Sequence, residues 1–250
     1  RFTWMSLQAC ANLVARADPD RFAAVMAAPF DARAVLLPIY AAAAEVARAP
    51  WMTQEPVIAE MRLQWWRDVF EEIEEGKVRR HEVVDALAKI LTPKGAQSLD
   101  TMVLARRWDI YKEGFDSPEA LLSHVRDITI GPMLAALDGL GDLSDDRQSL
   151  EGHATQLGLV RFLRGIPALI SLNVPVWSSD RKINIYKDLC YKAHSMVCLE
   201  IQSPAMIESA NCQRVLRFVM RNPKVVEIGA IPDFALSTTL ARAWRAWRSR

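Results

Sequence analysis

Three groups of basic side chains could bind a ligand or a partner in this chain, and each lies within a helical apolar pattern. In EPVIAEMRLQWWRDVFEEI, residues 55–73, Arg62 projects near the middle of the apolar arc. Three interpretations are open: an ion pair with Glu45 on the preceding helix, a guanidinium that snorkels past the tryptophans, and a ligand contact. Because an unpaired buried charge is costly, we favour a buried Arg62–Glu45 pair.

The second group lies in GHATQLGLVRFLRGIPALI, residues 152–170. His153, Arg161 and Arg164 project onto one side of the predicted helix, opposite an apolar face. One histidine and two arginines on a stripe suit a phosphate or an acidic partner, although a solvated basic face has the same pattern.

The third group is the C-terminal TTLARAWRAWRSR. Its apolar residues project to one side of a helix and its arginines spread over the other: Leu240, Ala243, Trp244 and Trp247 against Arg242, Arg245 and Arg248. This pattern is typical of an interfacial helix on an anionic membrane or of a partner-binding helix. A final helix packed on its own domain would have the same stripe.

Helical spacing recurs along almost the whole chain, which predicts an all-α fold. Breakers such as Pro56, Pro118 and Pro204 separate the segments. The predicted helices cover residues 6–17, 20–28, 31–48, 56–76, 80–91, 95–114, 118–138, 146–171, 183–200, 204–221 and 234–249. Two segments have further consequences: IYAAAAEVAR, residues 39–48, must pack closely or border a space, and ITIGPML, residues 128–134, should be kinked.

We predict one domain over residues 1–250, with a main helical block at 5–171 and C-terminal helices at 183–250. The aperiodic stretch 172–182 would link the two parts. Residues 1–4 are expected to lie outside the first helix.

Composition narrows the class of protein. The net charge of +1 gives no global field for nucleic acid, so no nucleic-acid partner is expected. The four cysteines lack metal-site spacing and are expected to be reduced. No run is long and apolar enough to predict a membrane-spanning helix or a secretion signal.

The order of LLPIYAAAAEVAR, EPVIAEMRLQWWRDVFEEI, LARRWDIYKEGF, ITIGPMLAALDGLG and ATQLGLVRFLRGIPAL resembles the squalene/phytoene synthase family. The branch with the greatest likeness contains the mitochondrial complex I assembly factor and its alphaproteobacterial relatives. The resemblance implies the isoprenoid synthase fold, a helical bundle around a central cavity. Family enzymes join two prenyl diphosphates head to head, with Mg²⁺ held by two aspartate-rich motifs.

Both motifs are altered in this sequence. At the first there are Glu45, Val46, Ala47 and Arg48, and at the second Gly165 and Leu169 stand where acidic residues are expected. We therefore assign no catalytic residue and no metal ligand.

The altered motifs favour a non-catalytic factor without a cofactor. It would bind an isoprenoid or other lipid, or assist assembly of respiratory complex subunits, as the resemblance implies. Ligand-binding candidates are Glu45, Arg62, His153, Arg161 and Arg164; candidates for a membrane or partner surface are Arg242, Trp244, Arg245, Trp247 and Arg248. The protein is expected in the bacterial cytoplasm or mitochondrial matrix, with peripheral contact to the inner face of the membrane.

Two alternatives stay open. One is an active or altered prenyltransferase that uses Mg²⁺, for which Glu45→Gln should abolish turnover. The other is a lipid-binding module that docks through its C-terminal helix.

Overall fold

A computed structural model describes residues 2–178 and 184–248, which form twelve α-helices and three short 3₁₀ segments. The helices are α1 (Phe2–Ala17), α2 (Pro19–Ala27), α3 (Phe30–Arg48), α4 (Pro56–Glu74), α5 (Val84–Leu87), α6 (Pro93–Ala105), α7 (Trp108–Tyr111), α8 (Pro118–Leu140), α9 (Arg147–Ser171), α10 (Asn184–His194), α11 (Cys212–Arg221) and α12 (Ala235–Arg248). The 3₁₀ segments are Ala49–Met52, Pro204–Ser209 and Pro223–Val225. The all-α prediction is confirmed.

Helix α8 lies at the centre and packs against α3, α6 and α9. Two glycines permit this close packing. A Cβ atom on Gly131 would lie 2.4 Å from the carbonyl oxygen of Ser98 on α6, and one on Gly158 would lie 2.2 Å from that of Val125 on α8. Any larger residue at either position would force the helices apart.

Four predicted helices are shorter or divided. Only α5 forms within residues 80–91, 95–114 is split into α6 and α7, 183–200 ends at His194, and 204–221 begins as a 3₁₀ segment. After His194, tertiary hydrogen bonds replace helical ones. The Leu199 amide donates to Ser149 Oγ at 2.6 Å, and the Leu199 carbonyl oxygen lies 2.8 Å from His153 Nε2.

At the N-terminus the sequence-based expectation is wrong, because α1 already begins at Phe2. Residues 179–182 of the predicted link, and residue 183 at the start of the next predicted helix, lie outside the described residues. The C-terminal helices contact the main block, with α10 and α11 on α9 and α12 on α2. No helix among the described residues combines the length and apolar character that crossing a bilayer requires.

Candidate functional site

A cavity of about 500 Å³ lies among α2, α3, α6, α8 and α9. Small residues create this space. Ala43, Ala44 and Ala47 line it from α3, and Gly158 lines it from α9. The preceding Ala41 and Ala42 are completely buried, so the four-alanine run both packs closely and borders a cavity.

The rest of the cavity wall combines apolar side chains with arginines. Its apolar members are Ala17, Met102, Ile128, Pro132 and Phe162, and its charged members are Asp18, Arg21, Arg48, Arg106 and Arg161. Such a wall suits a ligand with an apolar body and a hydrogen-bond acceptor or negative charge.

One side of the cavity rests on a buried ion cluster centred on Glu208. Its Oε2 accepts from Arg21 Nε at 2.9 Å and from an Arg161 terminal nitrogen at 2.8 Å. Asp18 lies 3.3 Å from Arg161, and the Tyr40 hydroxyl donates to Glu208 Oε1 at 3.4 Å. The cluster joins α2, α3 and α9 to the Pro204–Ser209 segment.

The arginines keep the carboxylates of this cluster ionised. Burial alone would raise the pKa of Glu208, but the Arg21 and Arg161 guanidiniums outweigh it and hold that pKa below its usual range. The pKa of Asp18 is lowered by the same balance. Burial and the nearby Glu208 carboxylate raise the pKa of Tyr40 well above its usual value, so Tyr40 is a neutral donor.

A second arginine on the cavity wall has spare donor capacity. Arg106 forms an ion pair with Asp109 at 3.1 Å, but its Nε is buried without a hydrogen-bond partner. A buried unsatisfied donor costs about 1–3 kcal/mol, which an acceptor atom of a ligand would recover once the Arg106 side chain turned its Nε toward the cavity.

Three aromatic side chains pack against Phe162 from outside the cavity lining: Trp108, Phe115 and His124. Trp108 stacks on Phe115 with 4.9 Å between ring centroids, and His124 lies 5.2 Å from each of these two rings. Burial, with a contribution from Arg106, lowers the pKa of His124 to about 4. The imidazole is therefore neutral near pH 7 and weakly hydrated where it packs against Phe162.

Comparisons with known proteins show which family has this sequence and which solved structure has this fold. The family model for squalene/phytoene synthase matches residues 14–176, which is more than half of the chain. The chain belongs to the squalene/phytoene synthase family. It is similar in structure to a dehydrosqualene synthase crystallised with a ligand, with a TM-score of 0.68, 9% sequence identity and 97% coverage of both chains. At that identity the likeness shows the fold alone. No curated protein matches the chain in sequence.

The residues of this family member do not fit the Mg²⁺ ions that its enzymes use. Magnesium needs several oxygen ligands around one point. Within residues 2–178 and 184–248 there is no group of three or more histidine, cysteine or acidic side chains that could hold a metal ion. Asp18, the one carboxylate on the cavity wall, is paired with arginines. Along α3 the cavity-facing residues are alanines and Arg48.

Two members of the stripe predicted on α9 come together, because Arg161 and Arg164 line a small pocket of about 50 Å³ with Asp20 and Glu208, whereas His153 does not line it. Arg161 reaches the buried cluster, whereas Arg164 pairs with Asp20 at 2.8 Å outside the cavity lining. His153 lies apart from both and bonds to the carbonyl of Leu199. The acidic partners of these arginines therefore come from the chain itself.

The predicted buried Arg62–Glu45 pair is wrong. Glu45 pairs with Arg48 at 3.0 Å, and Arg62 is exposed. The predicted apolar arc of α4 is divided, because Leu63 and Trp66 enter the core while Met61 remains exposed. Arg62 lines an open groove beside α4 and its side chain reaches solvent, so the snorkelling interpretation describes it best.

The C-terminal helix turns its arginines toward the rest of the chain and its tryptophans toward solvent. Arg245 donates to the Met206 carbonyl at 2.6 Å and to Ser209 Oγ at 2.7 Å. Trp244 and Trp247 are 58% and 64% exposed. Arg242 and Arg248 pair with Asp20 and Glu200 at 3.4 and 2.6 Å. All three arginines thus have partners within the chain, which leaves few charges for anionic lipid headgroups.

Sequence reasoning missed Asp18, Arg21, Arg106 and Glu208. Asp18 had a detectable signal, because an aspartate before a proline is typical of a helix N-cap, and its carboxylate indeed accepts from the Arg21 amide. Glu208 had none, since it is 187 residues from Arg21 and lies in a 3₁₀ segment.

Proposed function

We propose that this protein is a non-catalytic member of the squalene/phytoene synthase family that binds an isoprenoid-like lipid in its central cavity without Mg²⁺. The observation that supports the proposal is the composition of the cavity wall. Alanines and Arg48 line it from α3, and Arg106 offers an unpaired buried donor. The apolar part would hold the tail, and Arg106 would bind a polar or anionic head.

Without paired carboxylates, the protein has no means of neutralising a leaving diphosphate through divalent cations. Incubation with farnesyl or geranylgeranyl diphosphate and Mg²⁺ should therefore release no diphosphate beyond a heat-inactivated control. Release above that control would show that the protein is a prenyltransferase, and the non-catalytic proposal would be wrong.

Ligand binding is tested separately by extracting lipid from the purified protein and analysing it by mass spectrometry. A prenyl or other long-chain lipid should be retained in stoichiometric amount. Ala47→Phe fills part of the cavity and should remove the lipid, whereas Ala120→Phe, at an exposed position on α8, should retain it. An empty wild-type protein that also fails to bind farnesol would contradict a lipid site.

The sequence resemblance supports a more specific role in assembly of the respiratory NADH:quinone oxidoreductase, in the bacterial cytoplasm or mitochondrial matrix. Cells that lack the protein should then contain less assembled enzyme on native gels. Complementation by Ala47→Phe would show whether the role requires the cavity. Normal amounts of the assembled enzyme in the deletion strain would exclude this role.

A further inference from the structure

A second concave surface lies outside the bundle, between α4 and the Ala49–Met52 segment. Its volume is about 510 Å³, and it is open to solvent along one side. Trp65, Trp66 and His81 line its inner part. Trp65 and Trp66 make an edge-to-face contact with 5.0 Å between ring centroids, and both rings contact His81. We call this surface the α4 groove.

The outer part of the α4 groove is a strip of exposed apolar side chains. Ile58, Met61 and the half-buried Trp65, which borders the inner part, lie at intervals of three and four residues on α4, and Met52 lines the groove from the 3₁₀ segment. Met61 is 67% exposed and Met52 is 51% exposed. This spacing matches the side chains of one helix lying along another, and methionines adapt easily to a partner surface.

Arg62 lies in the middle of this strip without an acidic partner among the described residues. Arg67, one turn further along α4, is already bound by Asp100 at 2.6 Å. Arg48 at the edge of the groove is likewise paired with Glu45. Among the described residues of the lining, Arg62 is therefore the guanidinium without an ion pair, because Glu45, the carboxylate of the same lining, pairs with Arg48. An additional carboxylate is the complementary group.

Charge also favours a protein partner over other occupants. The C-terminal half of α4 carries Asp68, Glu71, Glu72 and Glu74, which would be repelled by an anionic membrane. The groove is concave, whereas a bilayer presents a broad surface. The exposed stripe on α12 of a second copy is a poor fit, since that helix, ALSTTLARAWRAWR, contains no acidic residue that could pair with Arg62.

We propose that the α4 groove is a docking site for an amphipathic helix of another protein, which carries an acidic residue within its apolar face. Apolar residues of that helix pack on Ile58, Met61 and Trp65, and its carboxylate pairs with Arg62. The proposal does not depend on the cavity ligand, because the groove and the cavity share only Arg48 in their linings.

The probes are labelled helical peptides of about 14 residues, or four turns, with a leucine stripe and either glutamate, glutamine or lysine at its centre. Fluorescence anisotropy should show the glutamate peptide binding about fivefold more tightly than the glutamine peptide, and the lysine peptide most weakly. Arg62→Glu should reverse the order of the glutamate and lysine peptides. Arg80→Glu, an exposed arginine outside the groove, should leave that order unchanged.

Met61→Asp provides the second arm, since an exposed position can take aspartate without unfolding, which circular dichroism would verify. It should abolish peptide binding. Equal affinity for the three peptides, or no binding at peptide concentrations of about 1 mM, would overturn the proposal. So would Met61-dependent binding to phosphatidylcholine vesicles containing phosphatidylglycerol, or Met61-dependent self-association in sedimentation, because the occupant would then be lipid or a second copy.

Discussion

The central cavity and the α4 groove have nearly equal volumes, about 500 and 510 Å³, but they differ in how their arginines are held. In the cavity, Arg21 and Arg161 converge on Glu208, whose side chain is only 3% exposed. In the groove, Arg62 is exposed and has no acidic partner among the described residues. A buried charge is stable only when it is paired within the fold, whereas an exposed charge is solvated and can remain unpaired.

The largest expected effect comes from removing the shared carboxylate of the cavity cluster. Glu208→Gln removes the carboxylate that Arg21 and Arg161 share and leaves Asp18 as their remaining counter-charge, so it should lower the free energy of unfolding by about 3 kcal/mol. Urea denaturation followed by circular dichroism measures this loss. Glu151→Gln is the control, because its 2.9 Å pair with Arg147 is exposed and should contribute about 1 kcal/mol or less. Equal decreases in the free energy of unfolding of the two variants would contradict the expectation that the buried pairs contribute more stability than the exposed one.

The weak hydration of the His124 side chain, which packs against Phe162 of the cavity wall, is tested through the pH dependence of stability. Burial lowers the pKa of His124 to about 4 in the folded protein, whereas the pKa of a histidine in the unfolded chain is near 6.5. As the pH falls below 6.5, the unfolded chain therefore binds a proton before the folded protein does. Stability should therefore decrease between pH 7 and pH 4.5, by roughly 2 kcal/mol from this group. His124→Phe, which keeps an aromatic ring beside Trp108, should lose that part of the pH dependence. Parallel stability curves for the two proteins would contradict a weakly hydrated site.

Helix α12 provides an intermediate case, because its arginines face inward but lie near the surface. Burial lowers the pKa of Arg245, which nevertheless donates two hydrogen bonds to the Pro204–Ser209 segment. Arg245→Met should weaken docking of α12 by about 1–2 kcal/mol. Hydrogen exchange along α12 should accelerate accordingly, while Arg248→Met, which loses a more exposed pair with Glu200, should change it less. The reverse order would mean that the tryptophan face docks instead.

The smallest effect is expected in the groove. Exchanging the charges of Arg62 and Glu45 should reveal a coupling energy below about 0.3 kcal/mol, because the two side chains are not paired in the structure. The corresponding cycle for Glu45 and Arg48 should give about 0.2–1 kcal/mol. A coupling energy with Glu45 that is larger for Arg62 than for Arg48 would support the Arg62–Glu45 pair that was predicted from the sequence.

The spacing of apolar residues predicted the helices well where local and tertiary forces agree. Helices α3, α8 and α9 lie within a few residues of their predicted bounds. The segment after His194 was predicted as helix and is not, because its backbone bonds to Ser149 and His153 on α9. Such bonds join positions about 50 residues apart, and a local pattern contains no information about them.

From its residues alone, this chain could be assigned to an all-α fold, to the squalene/phytoene synthase family, and to a member whose aspartate-rich motifs are altered. These features depend on helical periodicity and on residue identity at particular positions, which are local properties. Which arginine meets which carboxylate was decided only by the tertiary structure. Glu208 reaches Arg21 and Arg161 because the distant Pro204–Ser209 segment packs against α2 and α9. Arg62 stays exposed, while Glu45 pairs with Arg48 on its own helix.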